Sequence, residues 1–331
     1  MKNKTILVIG GAGYVGTTLV PKLLKENYNV IVYDIFWFTT PDIFNSSDNL
    51  SSLEVIQGDI RDLNKLEKYI LKSDYVIHLA CISNDPSFDL NPKLGKSINY
   101  DSFRPIVEMA KEHKIERFIF ASSSSVYGVK KEKNVTEDLD LNPLTDYSIY
   151  KAKCEKVLLE YSDDFFCTTS LRPATVCGFS PRQRLDVVVN ILTNHAVNNN
   201  QIKIYNGEQL RPNIHIEDMC DAYISTLTAP KEVINKNVYN VGGENLSVKE
   251  ISDLVRIETG VENLIVEKND DIRSYHISSN KFQSEVGVKP KKSVQDAIRD
   301  LSKKLEDGSF IDPLSNPLYF NVLHLKQQNK S

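Results

Sequence analysis

Three side chains near the middle of the chain have the types and spacing needed to move a proton. In Tyr147-Ser148-Ile149-Tyr150-Lys151, the phenol and the ammonium stand at i and i+4 and share one face of a helix. A cation beside a phenol stabilises the phenolate, so the pairing predicts a Tyr147 pKa drawn down from about 10 toward the working range. Such a group can take the proton of an alcohol while hydride leaves the same carbon. Ser123 lies in Ala121-Ser122-Ser123-Ser124-Ser125-Val126-Tyr127-Gly128, at the end of a predicted strand. Its hydroxyl can hydrogen-bond the same oxygen. A Tyr-x-x-x-Lys pair alone arises often by chance, and its weight here comes from what precedes it.

Hydride needs an acceptor, and the N-terminal segment is built to hold one. Gly10-Gly11-Ala12-Gly13-Tyr14-Val15-Gly16 follows a β-branched run, Ile6 to Ile9, and opens a helix pattern. Glycines at 10, 13 and 16 permit a tight turn, close approach of the backbone (with Tyr14 and Val15) to a pyrophosphate, and close helix packing. The helix N-terminus adds free N–H groups and partial positive charge. Asp34 ends the second predicted strand, where a carboxylate can accept from adenosine ribose hydroxyls and repel a 2′-phosphate. Neither Arg nor Lys follows in Ile35-Phe36-Trp37-Phe38, so NAD is predicted over NADP. Asp59, followed by Ile60, can meet the adenine amino group or cap the next helix. The backbone at Leu79 and Ala80 should run beneath the cofactor, with His78 packed in the interior.

These groups need a frame, and the first half supplies one by alternating strand and helix patterns. Strands are predicted at Val30–Tyr33, Leu53–Ile56, Tyr75–Leu79 and Arg117–Ala121, with helices over 62–71, 100–113 and 147–161. This order predicts an α/β fold, a doubly wound parallel sheet of Rossmann type. The second half is less regular, with a strand at Thr168–Arg172, a helix over 186–197 and mixed short elements; it reads as a smaller, interleaved α/β lobe. The 331 residues are 41% hydrophobic and 25% charged, ordinary globular values that exclude a disordered or collagenous chain. A net charge of −4 offers no field for nucleic acid or an anionic membrane. Five scattered Cys without a C-x-x-C pair indicate neither a metal site nor a disulfide framework. No run approaches a membrane span, and the expectation is a cytoplasmic protein.

Taken together, the Gly10/Gly13/Gly16 loop, Asp34, Asp59-Ile60, the serine run and Tyr147-x-x-x-Lys151 resemble the extended short-chain dehydrogenase/reductases of the nucleotide-sugar epimerase/dehydratase family, over residues 5 to about 290. The resemblance implies an NAD-binding Rossmann domain over 1–172, rejoined by about 212–242, and a lobe over 173–331 that holds a nucleoside diphosphate-sugar. It implies Ser123, Tyr147 and Lys151 as the catalytic set, with Lys151 also on the nicotinamide ribose. Substrate candidates are Ser124, Ser125, Thr175, Arg182, Arg184, Asn190, Arg211 and Arg273. Thr175 and Cys177 replace the family's commoner Asn and Tyr. In Arg211-Pro212-Asn213-Ile214-His215-Ile216-Glu217-Asp218, the Arg corresponds to one that usually contacts the diphosphate, while His215 and Asp218 correspond to structural residues.

An absence narrows the chemistry. Sugar 4,6-dehydratases of the family carry Asp-Glu after the catalytic hydroxyl residue, and this chain has Ser124-Ser125. Reversible oxidation at a sugar carbon, most often C4, remains. That leaves a 4-epimerase working through a transient 4-keto sugar, or a 4-dehydrogenase/ketoreductase that releases the ketone. A non-catalytic NAD-binding module is a third reading, against which the intact Ser-Tyr-Lys set stands. The family also implies a homodimer through two helices per subunit, here 100–113 and 147–161.

Overall fold

The structure, a computed structural model, describes residues 4–132, 134–268, 274 and 276–328. Seven strands form one sheet in the order β10-β6-β5-β4-β1-β2-β3, every neighbouring pair parallel. They are β1 (Thr5–Ile9), β2 (Asn29–Asp34), β3 (Leu53–Gln57), β4 (Tyr75–His78), β5 (Arg117–Ala121), β6 (Cys167–Pro173) and β10 (Asn237–Val241). The strand order reverses beside β1, which pairs with β2 on one side and β4 on the other. In a doubly wound sheet this switch point opens a crevice at the carboxyl ends of the strands.

Alternation along each strand feeds two cores. Ile6, Val8, Val30, Val32, Ile77 and Ile119 face one side, with helices Gly16–Lys25 and Ile216–Thr228. Leu7, Ile9, Ile31, Tyr33, Val76, Phe118 and Phe120 face the other, with Leu63–Ile70, Phe103–Glu112 and Asp146–Tyr161. Both faces are covered, which is why these strands read as continuous apolar runs. His78 is enclosed by Phe103, Phe118 and Phe120, and burial pushes its pKa down to about 3.

The remaining strands are β7 (Thr175–Cys177), β8 (Ile202–Tyr205), β9 (Leu210–His215), β11 (Glu244–Ser247) and β12 (Leu264–Glu267). They form a three-stranded sheet, β11-β9-β7, and a two-stranded one, β12-β8. A third core packs this part, from helices Val188–Asn199, Val248–Thr259 and Val294–Glu306. Two helix starts differ from the sequence reading by more than one residue. The segment read as a helix over 100–113 is helical, but it opens in a π-helical turn, Ser97–Asp101, before the α-helix over Phe103–Glu112. The helix read from 186 begins at Val188, because Asp186 is drawn away to accept from Arg184 Nε (2.6 Å) and Asn321 N (2.8 Å) while Val187 stays extended.

Helix Asp146–Tyr161 is pinned to the sheet by a buried polar network. Arg172, on β6, donates to Glu155 through Nε (3.0 Å) and Nη2 (2.7 Å), and Ser122, just past β5, donates to the same carboxylate. Arg172 Nη1 also reaches the Tyr127 hydroxyl at 2.7 Å, and that hydroxyl donates to Asn240 Oδ1 at 2.8 Å. Arg172→Met should cost about 3–5 kcal/mol, because Glu155 is left buried without its cation. Adding Glu155→Gln should recover much of the loss. Urea denaturation of both variants measures this, and a single-variant loss below about 1 kcal/mol would contradict it.

Candidate active site

A cavity of about 390 Å³ opens at the switch point and is lined by the carboxyl ends of β1, β2, β4 and β5. The glycine loop forms its floor. Gly10 has φ +83°, and a Cβ there would lie 2.4 Å from Ala80 N; one on Gly16 would lie 2.3 Å from Gly11 O. At Gly13 the nearest such contact is Gly10 O at 3.3 Å, so its missing side chain leaves room above the backbone. The following helix has no side-chain cap and no acid in its first turn, which leaves N–H groups for a phosphate.

Asp34 closes this end. Its Oδ2 accepts from Ala12 N (2.9 Å) and its Oδ1 from Phe36 N (2.8 Å), which ties the β2 end to the glycine loop. Burial pushes its pKa up, while the N–H groups of Phe36 and Ala12 and the nearby Arg182 charge pull it down. Tyr14, Val15, Ile60, Leu79 and Ala80 line the same cavity. So does Asp59, which is bound by Arg61 (Nη2 to Oδ2, 2.5 Å) and held below the usual carboxylate range by it. It does not cap the next helix; Asp62 does, accepting from Lys65 N. The cavity's size and its glycine floor with Asp34 at one end fit a dinucleotide.

Ser123, Tyr147 and Lys151 line the opposite end. The helix carrying the last two begins at a capping box, Thr145 with Ser148, which sets where its first turn faces. Ser123 Oγ hydrogen-bonds Ser125 Oγ (2.9 Å) and accepts from Ser125 N (3.1 Å), and it lies close enough to Tyr147 to act on the phenol. The electrostatics depart from the sequence reading. Burial pushes the Tyr147 pKa well above its ordinary value, and Cys81 and Asp85 add to the rise. Arg184 and the nearby Ser123 hydroxyl act downward. Lys151 donates to Ala121 O (2.5 Å), and its ammonium stands 5.9 Å from the centre of the Tyr147 ring. The i,i+4 spacing brings the two side chains together, but the cation with the stronger effect on the phenol is Arg184.

Ser124, Ser125, Thr175, Arg182 and Arg184 also line this cavity. A second cavity, about 140 Å³, shares Asp85, Ser125, Thr175 and Val187 with the first and reaches Arg211. Asn190 lines neither and corrects the sequence reading. It is fully buried, its Oδ1 accepting from Gly178 N (2.9 Å) and its Nδ2 donating to Tyr14 Oη (3.0 Å) and Arg184 O (2.8 Å). Its hydrogen-bonding capacity is spent on holding the loop after β7. Arg273 lies outside the described residues. Asp218 accepts from Lys291 N and Lys292 N, and His215 Nδ1 accepts from Glu217 N, both within the scaffold.

Several lining residues carried no signal in the sequence. Trp37 and Phe38, notable in the sequence only for the charge they lack, both line the cavity beside Asp34. Cys81 faces the cavity near Tyr147. Asn321 arrives from the C-terminal helix, Asn321–Gln328, and no local pattern marks it.

Comparison with known proteins agrees with this geometry. Residues 6–242 match the NAD dependent epimerase/dehydratase family. A putative UDP-glucose 4-epimerase of Methanocaldococcus jannaschii is 29% identical over 302 residues, 89% of this chain and 96% of that protein. The uncharacterized UDP-glucose epimerase YtcB of Bacillus subtilis is 32% identical over 272 residues, 77% of this chain and 82% of its own. The crystal structure of UDP-glucuronic acid 4-epimerase from Bacillus cereus, in complex with UDP-glucuronic acid and NAD, superposes with a TM-score of 0.82 at 26% identity, covering 92% of this chain and 99% of that one. The chain belongs to the NAD dependent epimerase/dehydratase family. It is an NAD-dependent enzyme of sugar-nucleotide chemistry.

Asp34→Ala removes the charge that would face a 2′-phosphate. It should weaken NAD binding and lower the preference for NAD over NADP by about ten-fold or more. Fluorescence titration with each nucleotide measures the ratio, and an unchanged ratio contradicts the role.

Proposed function

We propose that the chain is a nucleotide-sugar 4-epimerase that acts through a transient 4-keto sugar. The observation that carries this reading is the meeting of Ser123, Tyr147 and Lys151 at one end of the dinucleotide-shaped cavity, where it joins the pocket that leads to Arg211. The names of the relatives, 4-epimerases of UDP-sugars among them, support it. The residues after Ser123 are Ser124 and Ser125, which offer no acid–base pair for a dehydration.

In this reading Gly10, Gly13, Tyr14, Val15, Gly16, Asp34, Asp59, Ile60, Leu79 and Ala80 hold NAD, which when bound supplies a reversible hydride acceptor and a cationic ring. Tyr147 takes the proton of the C4 hydroxyl and later returns it. Because burial favours the neutral phenol, its ionised form depends on nearby positive charge, from Arg184 and from the bound cofactor. Ser123 hydrogen-bonds the same oxygen and holds it against Tyr147. Lys151, anchored on Ala121 O, orients the cofactor's ribose. Ser124, Ser125 and Thr175 border the sugar, with Arg184 at the catalytic end and Arg211 on the diphosphate. Once C4 is a ketone, the sugar turns about its diphosphate tether and presents its other face.

Five free cysteines suit a reducing compartment, and we place the enzyme in the cytoplasm. Among the described residues no helix is long and apolar enough to cross a membrane. A homodimer through helices Phe103–Glu112 and Asp146–Tyr161 is part of the proposal; Leu159 stands exposed on the second of them.

Proton NMR of UDP-, GDP-, CDP- and dTDP-sugars incubated with the enzyme tests the reaction. Interconversion of C4 epimers without accumulating NADH is expected; a ketone accumulating with NADH would make it a dehydrogenase. Tyr147→Phe should lower turnover by about 10²–10⁴-fold. A near-normal rate would remove Tyr147 from its role.

A further inference from the structure

Arg182 and Arg184 are two residues apart and face opposite ends of the cavity. Arg184 pairs with Asp186 and acts on Tyr147. Arg182 lies at the glycine-loop end. Its main-chain N–H donates to Thr17 Oγ1 (3.2 Å), in the first turn after the loop, and its guanidinium lies 4.0 Å from the centre of the Phe38 ring, four residues past Asp34. We propose that Arg182 is a cofactor-binding residue whose guanidinium takes the dinucleotide's diphosphate, held in place by Asn321 of the C-terminal helix.

The argument rests on an unbalanced charge. Arg182 is only 4% exposed, yet among the described residues no carboxylate lies within ion-pair distance of it. Its guanidinium makes one hydrogen bond there, to Asn321 Oδ1 (2.7 Å), and its Nε has no partner. The two candidate anions are committed elsewhere: Asp34 accepts from Ala12 and Phe36, and Asp186 from Arg184 and Asn321. Burial first, then the like charge of Arg184, pushes the Arg182 pKa down to about 9. A buried cation without an anion is costly. Here it lines the cavity of an NAD-dependent enzyme, beside the loop suited to a pyrophosphate, and an anionic ligand there would balance it.

Asn321 is placed to serve this purpose. It is 4% exposed, with Nδ2 donating to Ser83 Oγ (2.9 Å) and its main-chain N–H to Asp186 (2.8 Å). These bonds leave Oδ1 facing Arg182. One turn on, the His324 ring packs 4.6 Å from Phe38, on which Arg182 also lies. The C-terminal helix therefore forms part of the wall of the cofactor cavity.

Calorimetric titration of full-length wild type, Arg182→Met and Asn321→Ala tests the proposal, with NAD in one arm and UDP, GDP, CDP and dTDP in the other. Arg182→Met should weaken NAD by about ten- to a hundred-fold, the scale of a charge-assisted hydrogen bond. It should leave the affinity for whichever nucleoside diphosphate binds within about two-fold. Its melting temperature without added nucleotide should not fall, since a buried unpaired charge has been removed; an arginine with a merely structural role would give the opposite sign. Asn321→Ala should weaken NAD less and speed its loss on gel filtration. Unchanged NAD affinity in both variants overturns the proposal. So does a loss confined to the nucleoside diphosphates, which assigns Arg182 to the sugar nucleotide, or an equal loss in both arms. If Arg182→Met does not fold, Asn321→Ala decides: NAD release no faster than wild type is then the overturning result.

Discussion

The ion pair between Glu155 and Arg172 is the contact on which the placement of Tyr147 and Lys151 depends. It lies inside the protein, with Ser122 donating to the same carboxylate, and it joins the helix that carries Tyr147 and Lys151 to the ends of β5 and β6. Tyr147, Lys151 and Glu155 follow one another at intervals of four on that helix, so one anchor sets the height and rotation of all three. Fixing Glu155 against Arg172 places Lys151 where it meets Ala121 O and Tyr147 on the cavity wall that Ser123 also lines. A buried pair of this kind adds little net stability compared with a well-packed apolar core, so its value here lies in position.

Parallel strands impose the second constraint. Their carboxyl ends share one edge of the sheet, so residues far apart in the chain arrive together: Gly10 after β1, Asp34 at the end of β2, Leu79 after β4 and Ser123 after β5. The chain then leaves the sheet at Pro173 and enters β7 at Thr175, which puts the start of the second sheet directly at the cavity wall. The two cavities share Thr175 for this reason.

Charge is distributed unevenly along the cavity. At the loop end an acid and an arginine act on one another without touching, Asp34 with its oxygens on backbone N–H groups and Arg182 on Asn321. At the other end Arg184 is the cation that acts on the buried phenol, while Lys151 is spent on a carbonyl and on the Phe120 ring, 4.8 Å away. The buried Tyr147 hydroxyl therefore needs positive charge around it in order to ionise.

The sequence alone determined whatever rests on short spacing. The glycine turn, the acid closing the second strand, the serine after the fifth strand and the Tyr–Lys helical pair were all legible, because periodicity and backbone preference act over a few residues. The alternating first half, with its covered parallel sheet, was legible for the same reason. Burial and long-range charge were not. Tyr147 and Lys151 could be read as neighbours, but not the desolvation that raises the phenol or the carbonyl that holds the amine. Asn190 could be read as a polar residue near two arginines, but not as a strut among Gly178, Tyr14 and Arg184. Asn321 meets Arg182 across 139 positions and Ser83 across 238. Only the folded chain decides such meetings, because the field and solvation at any atom are sums over everything packed around it, and most of that is remote in sequence.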